Sequence, residues 1–295
     1  MRLTAMNFRL LAGAFLLFSL APGLRAADPQ AADTHEADTH AAVPHEDAGH
    51  GEGGALVAHP NRPSVSDSPH VLSPGVLQME HGWTNSALGA GVRENVLGGQ
   101  FRFGVARNLE VRWAWDSFLQ ESHHGSHGNV SESGGGDNWL GAQYMFLAES
   151  ASRPAMAFGY TAKVPTASHE KHLGSGKADH VFGYLVGKEI GGMTWDFNGL
   201  YRLIGREDAS GFDDNGVFIL TFARSLTGPV DIIGEVLSES SLNAHEKAFA
   251  TTLWALSIRL NPRVVVDAGI ELGLTPHAPR RHVLVGITYA IGDFY

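Results

Sequence analysis

From about residue 76 to the C-terminus, the sequence alternates apolar with polar or small residues in segments of about ten residues. The alternation is clearest at residues 109–116, LEVRWAWD, and it recurs at 193–203 and 263–273. A period of two residues is the pleat of a β-strand, whose side chains point alternately to opposite faces. The pattern therefore predicts a series of strands, each with one apolar and one polar face.

Both a soluble β-sandwich and a membrane β-barrel satisfy such alternation. Segments of about ten residues match a tilted transmembrane strand, whereas sandwich strands commonly have about five or six residues. The number of segments is also even, as bacterial barrels require. The predicted strands are 76–84, 96–105, 107–117, 137–147, 154–165, 177–188, 193–203, 215–226, 229–238, 249–260, 263–273 and 281–292.

The connections between these segments alternate in length. The short ones are 106–108, 191–192, 227–228 and 261–262, and the long ones are 118–136, 166–176, 204–214 and 238–247. Outer-membrane barrels have short periplasmic turns and long extracellular loops. We therefore predict an all-β fold, a transmembrane antiparallel up-and-down β-barrel of about 12 strands at residues 61–295. Outer-membrane lipids would surround it, and both of its ends would face the periplasm.

The N-terminal region has a different composition. Residues 1–26 combine early basic residues, an apolar stretch too short to span a bilayer and a final Ala26, which predicts a cleaved secretory signal peptide. Residues 27–60 are rich in Ala, Asp, Glu, His and Gly, and we expect a disordered periplasmic tail. The chain contains no Cys, which excludes disulfides and a lipidated Cys anchor. Its scattered basic residues and net charge of −10 argue against nucleic-acid binding.

The segment before the first predicted strand, NRPSVSDSPHVLSPGVLQME at residues 61–80, carries a family resemblance. It resembles the opening of the MetA-pathway phenol-degradation family of transporter-like outer-membrane barrels, in which D/N-R-P, Ser-Pro and Pro-Gly elements precede Gln-x-Glu. Val164, Pro165 and Thr166 are similar to a V-P-T turn of that family, although Ala167 replaces the Gly that often follows. The resemblance implies passage of small hydrophobic or aromatic compounds across the outer membrane. A final strand that ends at Tyr295 also resembles the signal read by the bacterial barrel-assembly machinery.

Strand parity predicts which charged side chains point into the lumen. Inside a barrel these charges pair across strands or contact a solute, whereas facing lipid would cost an Arg or Lys about 2–4 kcal/mol. Both signs are present, eight acids and five bases, so strong ion selectivity is not expected. The lumen-lining candidates are Glu80, Arg102, Glu110, Arg112, Asp116, Lys163, Asp196, Arg202, Asp231, Glu235, Arg259, Asp267 and Glu271. Twelve strands predict a narrow or gated pore for a small-molecule solute.

Two other functions are open to this sequence. Imidazoles near carboxylates can bind Zn, Cu or Ni, so the tail or the outer loops are candidates for metal capture, although no cofactor is required. The candidate ligands are His35, His40, His45, His50, His123, His124 and His127. The second is a lipid-modifying enzyme, but no G-x-S-x-G elbow or defensible Ser and His spacing is present, and no catalytic residue is predicted.

Overall fold

The computed structural model describes residues 56–125, 128–207, 209–243 and 245–295. The predicted signal peptide and all but the last five residues of the predicted tail lie outside these residues. The described strands are β1 Val76–Gly89, β2 Val92–Ala106, β3 Leu109–Gly125, β4 Gly128–Gly134, β5 Asn138–Leu147, β6 Ala155–Val164, β7 Asp179–Ile190, β8 Met193–Gly205, β9 Phe212–Thr227, β10 Val230–Glu239, β11 Phe249–Asn261, β12 Val264–Gly273 and β13 Arg281–Asp293. No helix in the described part of the chain is long and apolar enough to cross a membrane.

The strands form one closed antiparallel barrel. Each strand pairs with its sequence neighbours, and β1 pairs with β13, which closes the sheet. The short β4 pairs with the upper half of β3 and β5 pairs with its lower half, so β4 and β5 share one position in the wall. The barrel therefore has twelve positions. This confirms the prediction of a twelve-stranded antiparallel barrel and excludes the sandwich.

Strand bounds differ most from the prediction at the first hairpin. The sequence pattern stops β1 at residue 84 and starts β2 at 96, but β1 continues to Gly89 and a tight turn at Ala90 and Gly91 leads directly into β2. The predicted loop 118–136 is likewise largely the β3–β4 hairpin. These extensions are rich in polar residues and Gly, as in NSALG at 85–89 and SHHG at 122–125. They therefore carry no alternation of apolar and polar residues, although their backbones remain paired.

The pattern of side-chain burial is the inverse of that in a soluble protein, with apolar residues outside and charged residues inside. Apolar side chains on the outer face are exposed, as at Trp113 (46%), Phe158 (55%) and Trp254 (48%), whereas inward Arg102 and Glu110 are at most 1% exposed. Such an arrangement places the apolar face in lipid and the charges inside the barrel. The protein is therefore an outer-membrane type of β-barrel.

Residues 58–75, which we call the plug segment, fold into the lumen before β1 begins. The segment enters beside the β11–β12 turn, where the Ala58 amide donates to the Pro262 carbonyl at 2.8 Å. It crosses the barrel, where Val65 packs against an apolar cluster of β6–β10 that includes Leu185 and Ile219. It then returns to β1 at Val76. Of the tail predicted for 27–60, Ala58 and His59 contact the barrel, whereas residues 27–55 lie outside the described residues.

The barrel has a short-turn end and a long-loop end. At the short-turn end lie the start of β1, the end of β13 and the two-residue turn between β7 and β8. The long-loop end carries the connections 165–178, 206–211, 240–248 and 274–280. Apart from the tight β1–β2 turn and the seven-residue β5–β6 connection at the short-turn end, the alternation of short and long connections agrees with the sequence prediction.

Candidate functional site in the barrel lumen

A buried ion-pair network supports the plug segment on the β1–β3 wall. The Arg102 guanidinium contacts Glu80 at 3.1 Å and Glu110 at 2.8 Å. Arg112 contacts Glu110 at 2.6 Å and Asp67 of the plug segment at 2.7 Å. Because burying an isolated charge is costly, the alternation of acids and bases is what permits these groups inside the barrel. Charge pairing thus joins the plug segment to the wall.

Wall carboxylates also accept hydrogen bonds from the backbone of the plug segment. Glu235 on β10 accepts from the Val65 amide at 3.0 Å and from the Ser66 amide at 3.1 Å. Glu110 accepts from the Leu72 amide at 2.9 Å. An irregular buried segment needs partners for its backbone N–H groups, and here side chains of distant strands supply them.

Two further contacts fix the middle of the plug segment. Asn198 on β8 accepts from the Asp67 amide at 2.7 Å and donates to the Asp67 carbonyl at 2.8 Å. On the opposite wall, Arg62 contacts Asp267 at 3.3 Å. Its guanidinium occupies a niche at Gly82 and Gly286, where any Cβ atom would overlap it. The segment is therefore held from both sides of the lumen.

The returning limb of the plug segment is held at the short-turn end. His70 lies 3.6 Å from Glu149 in the β5–β6 connection, and Glu149 accepts a hydrogen bond from Lys188 at 2.8 Å. Burial raises the pKa of the Glu149 carboxyl, but hydrogen bonds from Lys188 and from the Glu189 amide outweigh that effect and lower its pKa. Glu149 thus stays ionised beside the imidazole.

The loop at residues 165–178, which we call the cap loop, folds over the lumen at the long-loop end. Lys163 contacts Asp179 at 2.6 Å and the Ser175 hydroxyl at 3.0 Å. Asp137 accepts from the amides of Thr166 and Ala167, both at 2.9 Å. These bonds direct the loop inward and bury its Leu173.

A cavity of about 250 Å³ lies between the plug segment, the cap loop and the wall formed by β1, β2, β3 and β5. Its apolar lining consists of Pro63, Val65, Val96, Ala114, Trp115, Leu119, Trp139 and Leu173. The ionisable lining residues are Asp67, Glu80, Glu94, Asp116, Glu121, Asp137, Arg62, His172 and His282. A mostly apolar chamber with polar groups around it is the usual form of a small-molecule site.

The structure disperses the predicted lumen residues over several sites. Glu80, Arg102, Glu110, Arg112, Glu235 and Asp267 contact the plug segment, as described above, and Asp116 lines the cavity. Arg259 donates to the Ala58 carbonyl at 3.0 Å, and Lys163 holds the cap loop. Arg202 donates a hydrogen bond to Asn215 and forms an ion pair with Glu239, and Asp231 accepts a hydrogen bond from the Ser225 hydroxyl. Glu271 is buried and pairs in register with His282, and Asp196 pairs in register with Gly187.

The predicted metal ligands do not come together in the described part of the chain. His123 contacts Glu121 and His124 is exposed, while His35, His40, His45, His50 and His127 lie outside the described residues. No group of three or more His, Asp or Glu side chains suited to a metal ion occurs among the residues described. Binding of Zn, Cu or Ni by the tail stays a prediction.

Sequence reasoning missed the plug segment and half of the cavity. Arg62 and Asp67 lie before the first strand, where no periodic pattern indicates that they enter the lumen. Glu94 falls in a region predicted as a loop, and Asp137 is the first residue of the predicted strand 137–147 but was not among the lumen candidates. The sequence did contain one indication of the plug segment, because β1–β3 carry several inward charges and buried charges need partners inside the barrel.

Comparison with solved structures shows the same fold at low sequence identity. The COG4313 outer membrane channel from Pseudomonas putida F1 is 12% identical, with a TM-score of 0.61, and the match covers 77% of this chain and 99% of that one. The NanC porin is 8% identical, with a TM-score of 0.49 and coverage of 73% and 100%.

No curated protein matches the sequence significantly. The family described as "Putative MetA-pathway of phenol degradation" matches residues 60–291, most of the chain and nearly all of its described part. That range covers all but the first two residues of the plug segment and all thirteen strands except the last two residues of β13. This chain therefore belongs to that family.

Proposed function

We propose that this barrel is a passive outer-membrane transporter for small hydrophobic or aromatic compounds. The observation that carries the proposal is the cavity, whose Leu119, Trp139 and Leu173 side chains form an apolar chamber within a membrane barrel. A cavity of about 150 Å³ is enough to hold benzene. The 250 Å³ here therefore suits a compound with one aromatic ring. Membership of a family named after phenol degradation and likeness to an outer membrane channel support the same class.

The test fills the cavity without touching the plug segment. Ala114 lines the cavity on β3, whereas Ala268 faces outward on β12. In a deletion strain supplied with a single-ring aromatic carbon source, we expect Ala114→Trp to abolish the uptake that the native protein restores and Ala268→Trp to preserve it. Flux into liposomes should follow the same order. Equal uptake by both variants, or no flux with the correctly inserted native protein, would sink the proposal.

We further propose that the short-turn end and both chain termini face the periplasm. Absence of Cys from the chain makes single-cysteine variants unambiguous. With a membrane-impermeant maleimide on intact cells, His277→Cys in the 274–280 loop should react, and Arg107→Cys in the β2–β3 turn should react only after lysis. The reverse labelling pattern would invert the proposed topology.

We propose that transport does not involve catalysis, and one contact makes this testable. The Ser86 hydroxyl lies 2.7 Å from the His282 Nδ1 atom, and both residues line the cavity. A Ser and His pair is the minimum for nucleophilic hydrolysis. We expect the purified native protein and Ser86→Ala to show the same background rate with p-nitrophenyl esters and phospholipids. A faster native rate would instead support the hydrolase.

A further inference from the structure

The outer face of the long-loop end carries a row of hydrogen-bonded polar side chains. Asn85 donates to the Asn95 carbonyl oxygen at 2.9 Å, Asn95 donates to Gln120 at 3.2 Å, and Gln120 donates to the Ser131 hydroxyl at 3.3 Å. Strand register places Asn85 opposite Asn95 and Asn95 opposite Gln120, so the row runs directly across β1, β2 and β3 to β4. We call it the amide ladder. It points away from the lumen.

The amide ladder marks the upper limit of the apolar belt. One step closer to the short-turn end on the same outer face, Trp83 is 38%, Leu97 37% and Phe118 41% exposed. On β1 the outward residues from Leu77 to Trp83 are apolar except His81, and Asn85 of the ladder is the next outward residue. Aromatic residues such as Trp83 and Phe118 flank the apolar belt of a membrane barrel. The ladder therefore lies where acyl chains end and lipid headgroups begin.

Two arginines stand one step beyond the amide ladder. Arg93 on β2 and Arg281 on β13 both pair in register with Ala87, and both point outward because Glu94 and His282, which follow them, face the cavity. Two strand spacings of about 4.8 Å separate their Cα atoms by about 10 Å. Both side chains are exposed, and no ion pair joins either of them to a carboxylate of the described chain.

We propose that this face binds the phosphorylated sugar headgroup of an outer-leaflet glycolipid, the lipid A portion of lipopolysaccharide. Guanidinium groups match phosphate oxygens in a two-pronged geometry, so Arg93 and Arg281 take the phosphates. The amide ladder faces the sugar hydroxyls and amides, and the apolar belt below it meets the acyl chains. The inference rests on the proposed orientation of the barrel, which places this end at the outer leaflet.

Inorganic phosphate offers the same anionic chemistry, so the test separates the two sources. The native, full-length protein in non-ionic detergent is titrated with bis-phosphorylated lipid A, with mono-phosphorylated lipid A and with inorganic phosphate. We compare Arg93→Gln/Arg281→Gln with Arg107→Gln/Arg153→Gln, which removes two exposed arginines at the short-turn end. A third variant, Asn85→Ala/Asn95→Ala, removes part of the amide ladder and keeps both arginines.

We expect Arg93→Gln/Arg281→Gln to weaken binding of bis-phosphorylated lipid A about tenfold and to abolish the preference over the mono-phosphorylated form. Asn85→Ala/Asn95→Ala should weaken both forms alike, and Arg107→Gln/Arg153→Gln should bind as the native protein does. Equal affinity in all variants, or equal loss in both arginine variants, would overturn the proposal. Competition by millimolar inorganic phosphate would reassign the site to a free anion. Binding needs no solute flux, so failure of the transport proposal would leave this result unaffected.

Discussion

At the residue scale, the lumen shows how register selects among charges that a sequence pattern can only place on one face. Alternation places Arg102 and Arg112 inside the barrel, but the β2–β3 register sets these two like charges directly opposite each other. Glu110 accepts hydrogen bonds from both guanidinium groups. Glu80 forms a second ion pair with Arg102, and Asp67 forms a second ion pair with Arg112. The inward direction was predictable from the sequence. The pairing was not, because it depends on strand stagger and on the plug segment.

Removal of the central guanidinium should therefore be costly. Arg102→Met leaves Glu80 and Glu110 buried with one fewer cation, and loss of one partner of a buried ion pair costs about 3–5 kcal/mol. We expect that decrease in the free energy of unfolding, measured by urea titration in phospholipid vesicles. Arg107→Met, in the exposed β2–β3 turn, is the control and should change it by less than about 0.5 kcal/mol. Similar losses in both variants would show that the network contributes little stability.

A second residue-scale prediction concerns the niche for Arg62. Gly82 and Gly286 face each other across β1 and β13, and the Arg62 guanidinium lies over both. Gly286→Val fills that space with a β-branched side chain that suits a strand. Arg62 must then leave Asp267, so single-channel conductance should rise while the barrel still assembles. Gly159→Val, on wall strand β6 where a Cβ atom meets nothing within 4 Å, should leave conductance unchanged. Equal conductance in the two variants would argue against the niche.

At the element scale, the strands followed the sequence and the plug segment did not. The last nine strand positions begin and end within about three residues of their predicted bounds, because each buries one face and exposes the other to lipid. The plug segment instead satisfies its backbone through side chains more than a hundred residues away, as with Val65 and Glu235 or Asp67 and Asn198. Contacts at such separation leave no local pattern. The resemblance at residues 61–75 identified the family but not the position of this segment.

The carboxylate of Glu235 is the strongest single attachment of the plug segment to the β9–β10 wall. Glu235→Ala removes the acceptor of the Val65 and Ser66 amides, and unsatisfied buried donors cost about 1–3 kcal/mol each. We expect the plug segment to leave this wall more often, which should increase conductance in planar bilayers. Asp231→Asn is the matched control on the same strand, because its partner Ser225 lies outside the plug segment. No increase, or the same increase in both, would exclude the plug segment as the constriction.

At the scale of the whole molecule, the lumen is more acidic than the sequence suggested. Parity over the predicted strands gave eight acids and five bases. The longer β1–β2 and β3–β4 hairpins add Glu94 and Glu121 to the cavity, and Asp137, directly before β5, also lines it. Arg62 is the only guanidinium among the residues that line it, against six carboxylates, of which Glu80 and Asp67 are paired with Arg102 and Arg112. A low-dielectric wall of one charge sign concentrates ions of the opposite sign.

This excess predicts cation selectivity once the plug segment is loosened. In a KCl gradient, Glu235→Ala channels should show a zero-current potential of the sign that K⁺ permeation gives, because carboxylates around the cavity repel Cl⁻. Addition of Asp116→Asn and Glu121→Gln should reduce that potential, since both residues line the cavity. Addition of Asp231→Asn, away from the cavity, should not change it. A potential of zero, or one of the sign for Cl⁻, would mean that ions pass along the apolar β6–β10 side of the lumen instead, where Val65 meets Leu185 and Ile219.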